Sequence, residues 1–311
     1  FHIDDTIYLE ISQWIELNPL KPMSGLINWY GTLQPNYEFN NPRLFMYLQA
    51  IWGKIFSYSE ISFHILISLF LGWSLIRFYH LSVIFNSTIP AYLTLIFGLS
   101  PALLIGQNVM IDIPLIALWL EFFYWTFNKN INYTKRIFFS SIIASIAFLT
   151  KYTSILLFPV LIINILYSKR LINFLWLIIP ILFVSLWCLF NIYDFGNIHL
   201  LNLPSKPFWI ERYIETFVGI FVYTGIIFFP IILIIFSNFK NKKKLSHLPT
   251  IFILGICMLW PTLLVLNFFF EIDKIFYNKL FFISSLFSGL IIIIFLLIKN
   301  LFKSKNLLLQ K

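Results

Sequence analysis

Two adjacent carboxylates, Asp4 and Asp5, head the stretch FHIDDTIYLEISQWIELN. At the start of a helix such a pair caps free backbone N–H groups and meets the positive end of the helix dipole. Beside an apolar body it can also form the working end of a membrane enzyme. The other charged residues that stand out are isolated ones: Arg43 after Asn41-Pro42, Asp112 in a short polar turn, Glu121 inside an apolar run, and Lys151 between two apolar runs. His2 and Asp4 make a poor metal pair, because no further His lies nearby in sequence. No metal or cofactor is therefore expected, and Glu121 is expected to serve structure through a hydrogen bond.

These residues need elements to hold them. Ile3, Ile7, Tyr8, Ile11, Trp14 and Ile15 recur at three- and four-residue spacing, which predicts a helical apolar face with Glu10, Ser12, Gln13 and Glu16 opposite. Pro19 ends that helix, and residues 19–41 read as a polar connector. Asn41 as cap and Pro42 at the first helical position predict a second amphipathic helix with an apolar stripe of Leu44, Leu48, Ile51, Trp52 and Ile55. Both helices are expected to lie in a membrane interface.

Downstream the chain is apolar. It has 311 residues, 59% hydrophobic and 11% charged, with a mean hydropathy of +0.85. Soluble domains carry about 25% charged residues, so an all-α polytopic integral membrane protein is expected. Nine spans are predicted, near 61–79, 89–107, 112–128, 136–151, 152–168, 174–191, 213–237, 250–270 and 280–298. Residues 1–60 then form an outer loop and 61–311 a transmembrane bundle, with a first helix expected to precede Phe1. Cys188 and Cys257 fall inside spans and read as small apolar residues.

The charge pattern orients this arrangement. The connections near 77–88, 129–136, 168–173 and 238–249, with the tail from Lys299, hold 14 of the 22 basic residues and no acidic one. Positive charge accumulates on the cytoplasmic side. Residues 1–60, the turns at Asp112 and Lys151, and segments 192–212 and 271–279 are thereby predicted to face outward. The net charge of +9 is explained by this distribution, and no nucleic-acid partner is implied.

Four short motifs, in order and all on the predicted outer side, resemble a known family. Asp4-Asp5-Thr6-Ile7-Tyr8 resembles an Asp-Glu-x-x-Tyr motif at the start of a first outer loop. Asn41-Pro42-Arg43-Leu44, with Tyr47 and Trp52, resembles a Pro-Pro-Leu motif opening a second interfacial helix. Ser100-Pro101 followed by Asp112 resembles an acidic outer turn, and Leu149-Thr150-Lys151-Tyr152 a Leu-Thr/Ser-Lys motif. Together, over roughly residues 1–170, they resemble the GT-C class glycosyltransferases related to protein O-mannosyltransferases and aminoarabinose transferases. Asp5 in place of Glu, Ile7, Asn41 and Arg43 depart from that pattern.

The resemblance implies a GT-C-like helical bundle in the cell membrane. It also implies a polyprenyl-phosphate-linked sugar donor and a lipid, glycan or protein acceptor outside the cytoplasm. Asp4 would take the proton of the acceptor hydroxyl, supported by Asp5, and direct attack would invert the anomeric centre. Lys151 and Arg43 would meet the leaving phosphate. Asp112 would orient the acceptor or hold a cation near the site, and Tyr8 and Tyr152 would line it. A transporter or flippase of lipid-linked sugars is the alternative, and it would place charged or broken-helix sites near the membrane midplane.

Overall fold

In this computed structural model the described residues are 5–201, apart from 30, 86, 101–102, 104–107 and 169. Asp4 and the three spans expected beyond residue 212 lie outside them. The described chain is mostly helical. Its elements are α1 (Asp5–Leu17), β1 (Leu26–Trp29), β2 (Thr32–Pro35), α2 (Leu44–Phe56), α3 (Glu60–Ile84), α4 (Pro90–Gly98), α5 (Asp112–Phe127), α6 (Tyr133–Thr150), α7 (Leu157–Ser168) and α8 (Ile178–Phe195). Short 3₁₀ turns, Tyr152–Leu156 and Leu171–Leu177, lead into α7 and α8.

Helix α1 forms as its spacing predicts, burying Ile7, Tyr8, Ile11 and Ile15. Ser12 differs from expectation. It is buried, because its hydroxyl donates to the Tyr8 carbonyl at 2.6 Å and to Gln49 Oε1 of α2 at 3.2 Å. A polar residue reaches the inner face when the neighbouring helix supplies its partner.

The connector is not featureless, and the fold is not purely helical. Strands β1 and β2 pair antiparallel, with Trp29 opposite Thr32 around a two-residue turn that puts Gly31 at φ +81°. Such tight hairpin turns need positive φ. The hairpin is tied to α1 through the Asn28 N–H, which donates to both Glu10 carboxylate oxygens at 3.0 Å. Gly25 passes so close beneath Trp14 that a Cβ there would sit 2.6 Å from the indole.

Helix α2 begins at Leu44, two residues later than Pro42 would suggest, because the backbone of 36–41 is wrapped around the Arg43 side chain. It buries Phe45, Met46, Gln49, Ala50 and Gly53. Of the stripe read as its apolar face, Leu48, Ile51 and Ile55 are exposed, while Trp52 packs against the core.

Two helical segments, Glu60–Ile84 and Leu171–Phe195, are long and apolar enough to cross a membrane. Exposed Ile61, Ile65, Leu69 and Ile76 run along the first, and Ile181, Leu182, Leu186 and Leu189 along the second. Within the span expected at 89–107, α4 covers Pro90–Gly98, and residues 101–102 and 104–107 lie outside the described residues. Arg77, read as part of a connection, lies within α3. Helices α3, α5 and α6 pack side by side. In α6 Ser141 and Ser145 fold their hydroxyls back onto the carbonyls four residues earlier, leaving a small-residue surface with Ala144 and Ala147.

Candidate functional site

The sequence-predicted residues gather where α1 starts, α5 starts and α6 ends. Asp5 is buried, and its Oδ1 accepts the Val109 N–H at 2.8 Å. The carbonyl of Val109 accepts from Gln49 Nε2 of α2 at 3.1 Å. Both backbone polar groups of this one residue are thus held by the two amphipathic helices. That clamp fixes the turn immediately ahead of Asp112, the first residue of α5.

Lys151 reaches Asp112 from the far side. Thr150 is the last residue of α6, and Lys151 adopts extended backbone (φ −150°, ψ 128°) before the chain turns into the 3₁₀ segment. Its Nζ donates to Asp112 Oδ1 at 2.8 Å, with the lysine side chain 30% and the aspartate 50% exposed. An ammonium carries three donors, and Asp112 occupies one of them.

Tyr152 turns inward from the same break. Its hydroxyl accepts the Trp187 indole N–H at 2.9 Å and shares a hydrogen bond with His199 Nδ1 at 2.7 Å. Burial and the Arg43 charge push His199 down to about 4, against a weaker upward pull from the Tyr37 and Phe39 carbonyls. The imidazole is therefore neutral at physiological pH.

Arg43 sits inside this nest and is fully buried. Its Nη1 donates to the carbonyls of Phe39, at 3.2 Å, and Asn41. Its Nη2 donates to the carbonyl of Asn36 and, at 2.9 Å, to Asn36 Oδ1. The guanidinium also lies 5.3 Å from the Phe39 ring centroid, and Tyr8 packs edge-on against the same ring. Burial pushes Arg43 down to about 9, and Tyr152, Tyr8 and Asp194 pull it back up. It stays charged at neutral pH. Asp194 in turn accepts the Met23 N–H at 2.6 Å and the Ser24 hydroxyl, linking the end of α8 to the loop before the hairpin.

The structure thus brings Asp112 and Lys151 into an ion pair and gathers Arg43, Tyr8 and Tyr152 into one buried cluster. Asp5 is committed to the Val109 turn, and Asp4 is outside the described residues. Sequence reasoning missed His199, Trp187 and Asp194. Nothing local marks them, since their partners lie 35 to 171 residues away.

Glu121, at the middle of α5, is fully engaged. Oε2 accepts the Trp73 indole N–H at 2.7 Å and pairs with Arg77, while Oε1 accepts the Trp125 indole N–H at 2.7 Å. Arg77 lies 4.2 Å over the Tyr124 ring. The cluster braces α3 against α5. Among the described residues no group of three His, Cys, Asp or Glu could hold a metal ion.

No protein-family model, curated protein or solved structure matches this chain. Functional assignment therefore rests on the residues themselves.

Proposed function

We propose that the chain is a multi-pass membrane glycosyltransferase that moves a sugar from a polyprenyl-phosphate carrier to an extracytoplasmic acceptor. The observation that supports this most is the half-exposed Lys151–Asp112 pair, set beside a turn clamped by Asp5. An ammonium with donors to spare, next to a carboxylate that orients it, suits a leaving phosphate whose negative charge grows in the transition state. Lys151 is the phosphate partner in this reading, and Asp112 positions it. Asp4, next to the Val109 clamp in sequence, is the candidate base. Arg43 acts differently from the sequence expectation: its Nη1 and Nη2 donate to the 36–41 backbone and the Asn36 side chain, so it shapes the site and lends its charge from within.

The test is transfer of labelled sugar from a polyprenyl-phosphate donor in proteoliposomes, with folding checked by thermal unfolding. A half-exposed ion pair is worth only about 0–1 kcal/mol. Lys151→Met should therefore melt within a few degrees of the parent while losing most transfer, and Lys151→Arg should keep part of it. The exchanged pair, Lys151→Asp with Asp112→Lys, restores the attraction without the cation at position 151 and should stay inactive. Activity equal to the parent in Lys151→Met would remove this lysine from the mechanism.

A further inference from the structure

At the other end of α6 from Lys151 lies a second concentration of charge, which the proposed reaction does not use. Fifteen residues separate Arg136 from Lys151, so the two are about 22 Å apart along the helix. A cavity of about 790 Å³ opens there between the end of α5, the first turn of α6 and the end of α7. Its polar wall carries Lys129, Arg136 and Arg170, and no acidic residue lines it. The Tyr133 ring serves both arginines, with the Arg136 guanidinium 4.9 Å and the Arg170 guanidinium 5.6 Å from its centroid. The Tyr133 hydroxyl is anchored by Asn164 at 3.0 Å, which fixes the ring that both cations share.

Two guanidinium groups gathered on one ring repel each other, and an anion between them would relieve that repulsion. Arg136 makes one long bond, 3.4 Å, to the Asn128 carbonyl, and its buried Nε has no hydrogen-bond partner. A guanidinium fork with idle donors is suited to phosphate oxygens. The opposite wall is apolar: Phe127, Val160, Ile163 and Tyr167, with Ile163 and Tyr167 largely exposed. Free phosphate has no use for that wall, whereas a lipid uses both. Basic pockets between apolar helices are a recurring form of lipid headgroup site.

We infer that this cavity binds the phosphate headgroup of an anionic phospholipid, with its acyl chains along the exposed face of α7. The inference is independent of the proposed transfer reaction.

The test uses the full chain purified in detergent. Phosphatidylglycerol or phosphatidylcholine is added, and retained lipid is counted by native mass spectrometry. Phosphatidylglycerol should be retained selectively. Arg136→Gln with Arg170→Gln should lower its retention about 30-fold, each cation near such a headgroup contributing about fivefold. Arg170 is exposed, so Arg170→Gln alone keeps the fold and should still lower retention about fivefold. Equal retention of the two lipids, undiminished retention in the double variant, or displacement of phosphatidylglycerol by equimolar inorganic phosphate would each overturn the lipid assignment. Transfer activity is not the readout, so the catalytic proposal can fail or hold separately.

Discussion

Replacing Arg43 separates two roles that a cation can have near a phosphate. In the structure its guanidinium is the hub of the 36–41 loop, donating to three carbonyls and the Asn36 side chain. Arg43→Met keeps most of the volume and removes every donor. An unsatisfied buried polar group costs about 1–3 kcal/mol. The Asn41 carbonyl falls toward the lower figure, because Asn41 is only partly buried and can turn toward water, whereas Asn36 and Phe39 are buried. Relief from burying a charge offsets part of the rest. The expected loss is about 3 kcal/mol, or an apparent melting point lowered by roughly 6–12 °C for a chain of this size. Arg43→Lys retains a buried charge but lacks the fork, and should fall between parent and Met. The assay is thermal unfolding of the full chain in detergent, alongside donor binding. A Met variant that melts within 2 °C of the parent yet no longer binds donor would refute the loop-hub reasoning and return Arg43 to the phosphate.

Three further outcomes follow from the same geometry. Asp5→Asn still presents an oxygen to the Val109 N–H and should keep transfer activity, whereas Asp5→Ala leaves that buried N–H unpaired and should cost about 1–3 kcal/mol by thermal unfolding. His199 is pushed down to about 4 from an ordinary value of 6.5. As pH falls below 6.5 the unfolded chain takes up a proton that the folded chain refuses. Stability should thus drop between pH 6.5 and 4 by up to about 3 kcal/mol and level off below; His199→Gln should flatten that drop in melting curves taken across the range. Glu121→Gln keeps acceptors for one indole but strands Arg77, at about 3–5 kcal/mol. Adding Arg77→Met should restore much of the loss in the same melting assay, a recovery that two unrelated sites would not give.

Local pattern carried much of the helical layout into the sequence reading. The three- and four-residue spacing of Ile7, Ile11 and Ile15 marks α1, and Pro19 marks its end. The break at Lys151 appears where α6 stops. The hairpin escaped because four-residue strands show almost no alternation. Its support is long-range: Glu10 holds Asn28, and the Gly25 carbonyl accepts the Asn36 N–H. The orientation of α2 escaped for a related reason. Two apolar faces were available, and only the Gln49 bonds to Ser12 and Val109 decide which one turns inward. The burial of Arg43 could not be read locally, since its acceptors are backbone carbonyls that any sequence possesses.

One signal was present in the sequence and not combined. Trp73 and Arg77 are four residues apart on α3, and Glu121 and Trp125 are four apart on α5. Each pair shares a helical face, and two complementary faces of that kind specify a cross-brace between helices. This bears on which charges are free to do chemistry. Glu121 and Arg77 neutralise each other while both indoles complete the carboxylate. A transported ion or sugar would have to displace three partners to reach that carboxylate, which weakens the case for a midplane transport site there. Arg43 is spent on its loop and Asp5 on the Val109 peptide. Lys151 keeps donors and exposure while held in place by a single carboxylate. In the proposed reading Lys151 is therefore the cation left to meet a donor phosphate, and it stands where α6 gives way to the 3₁₀ turn.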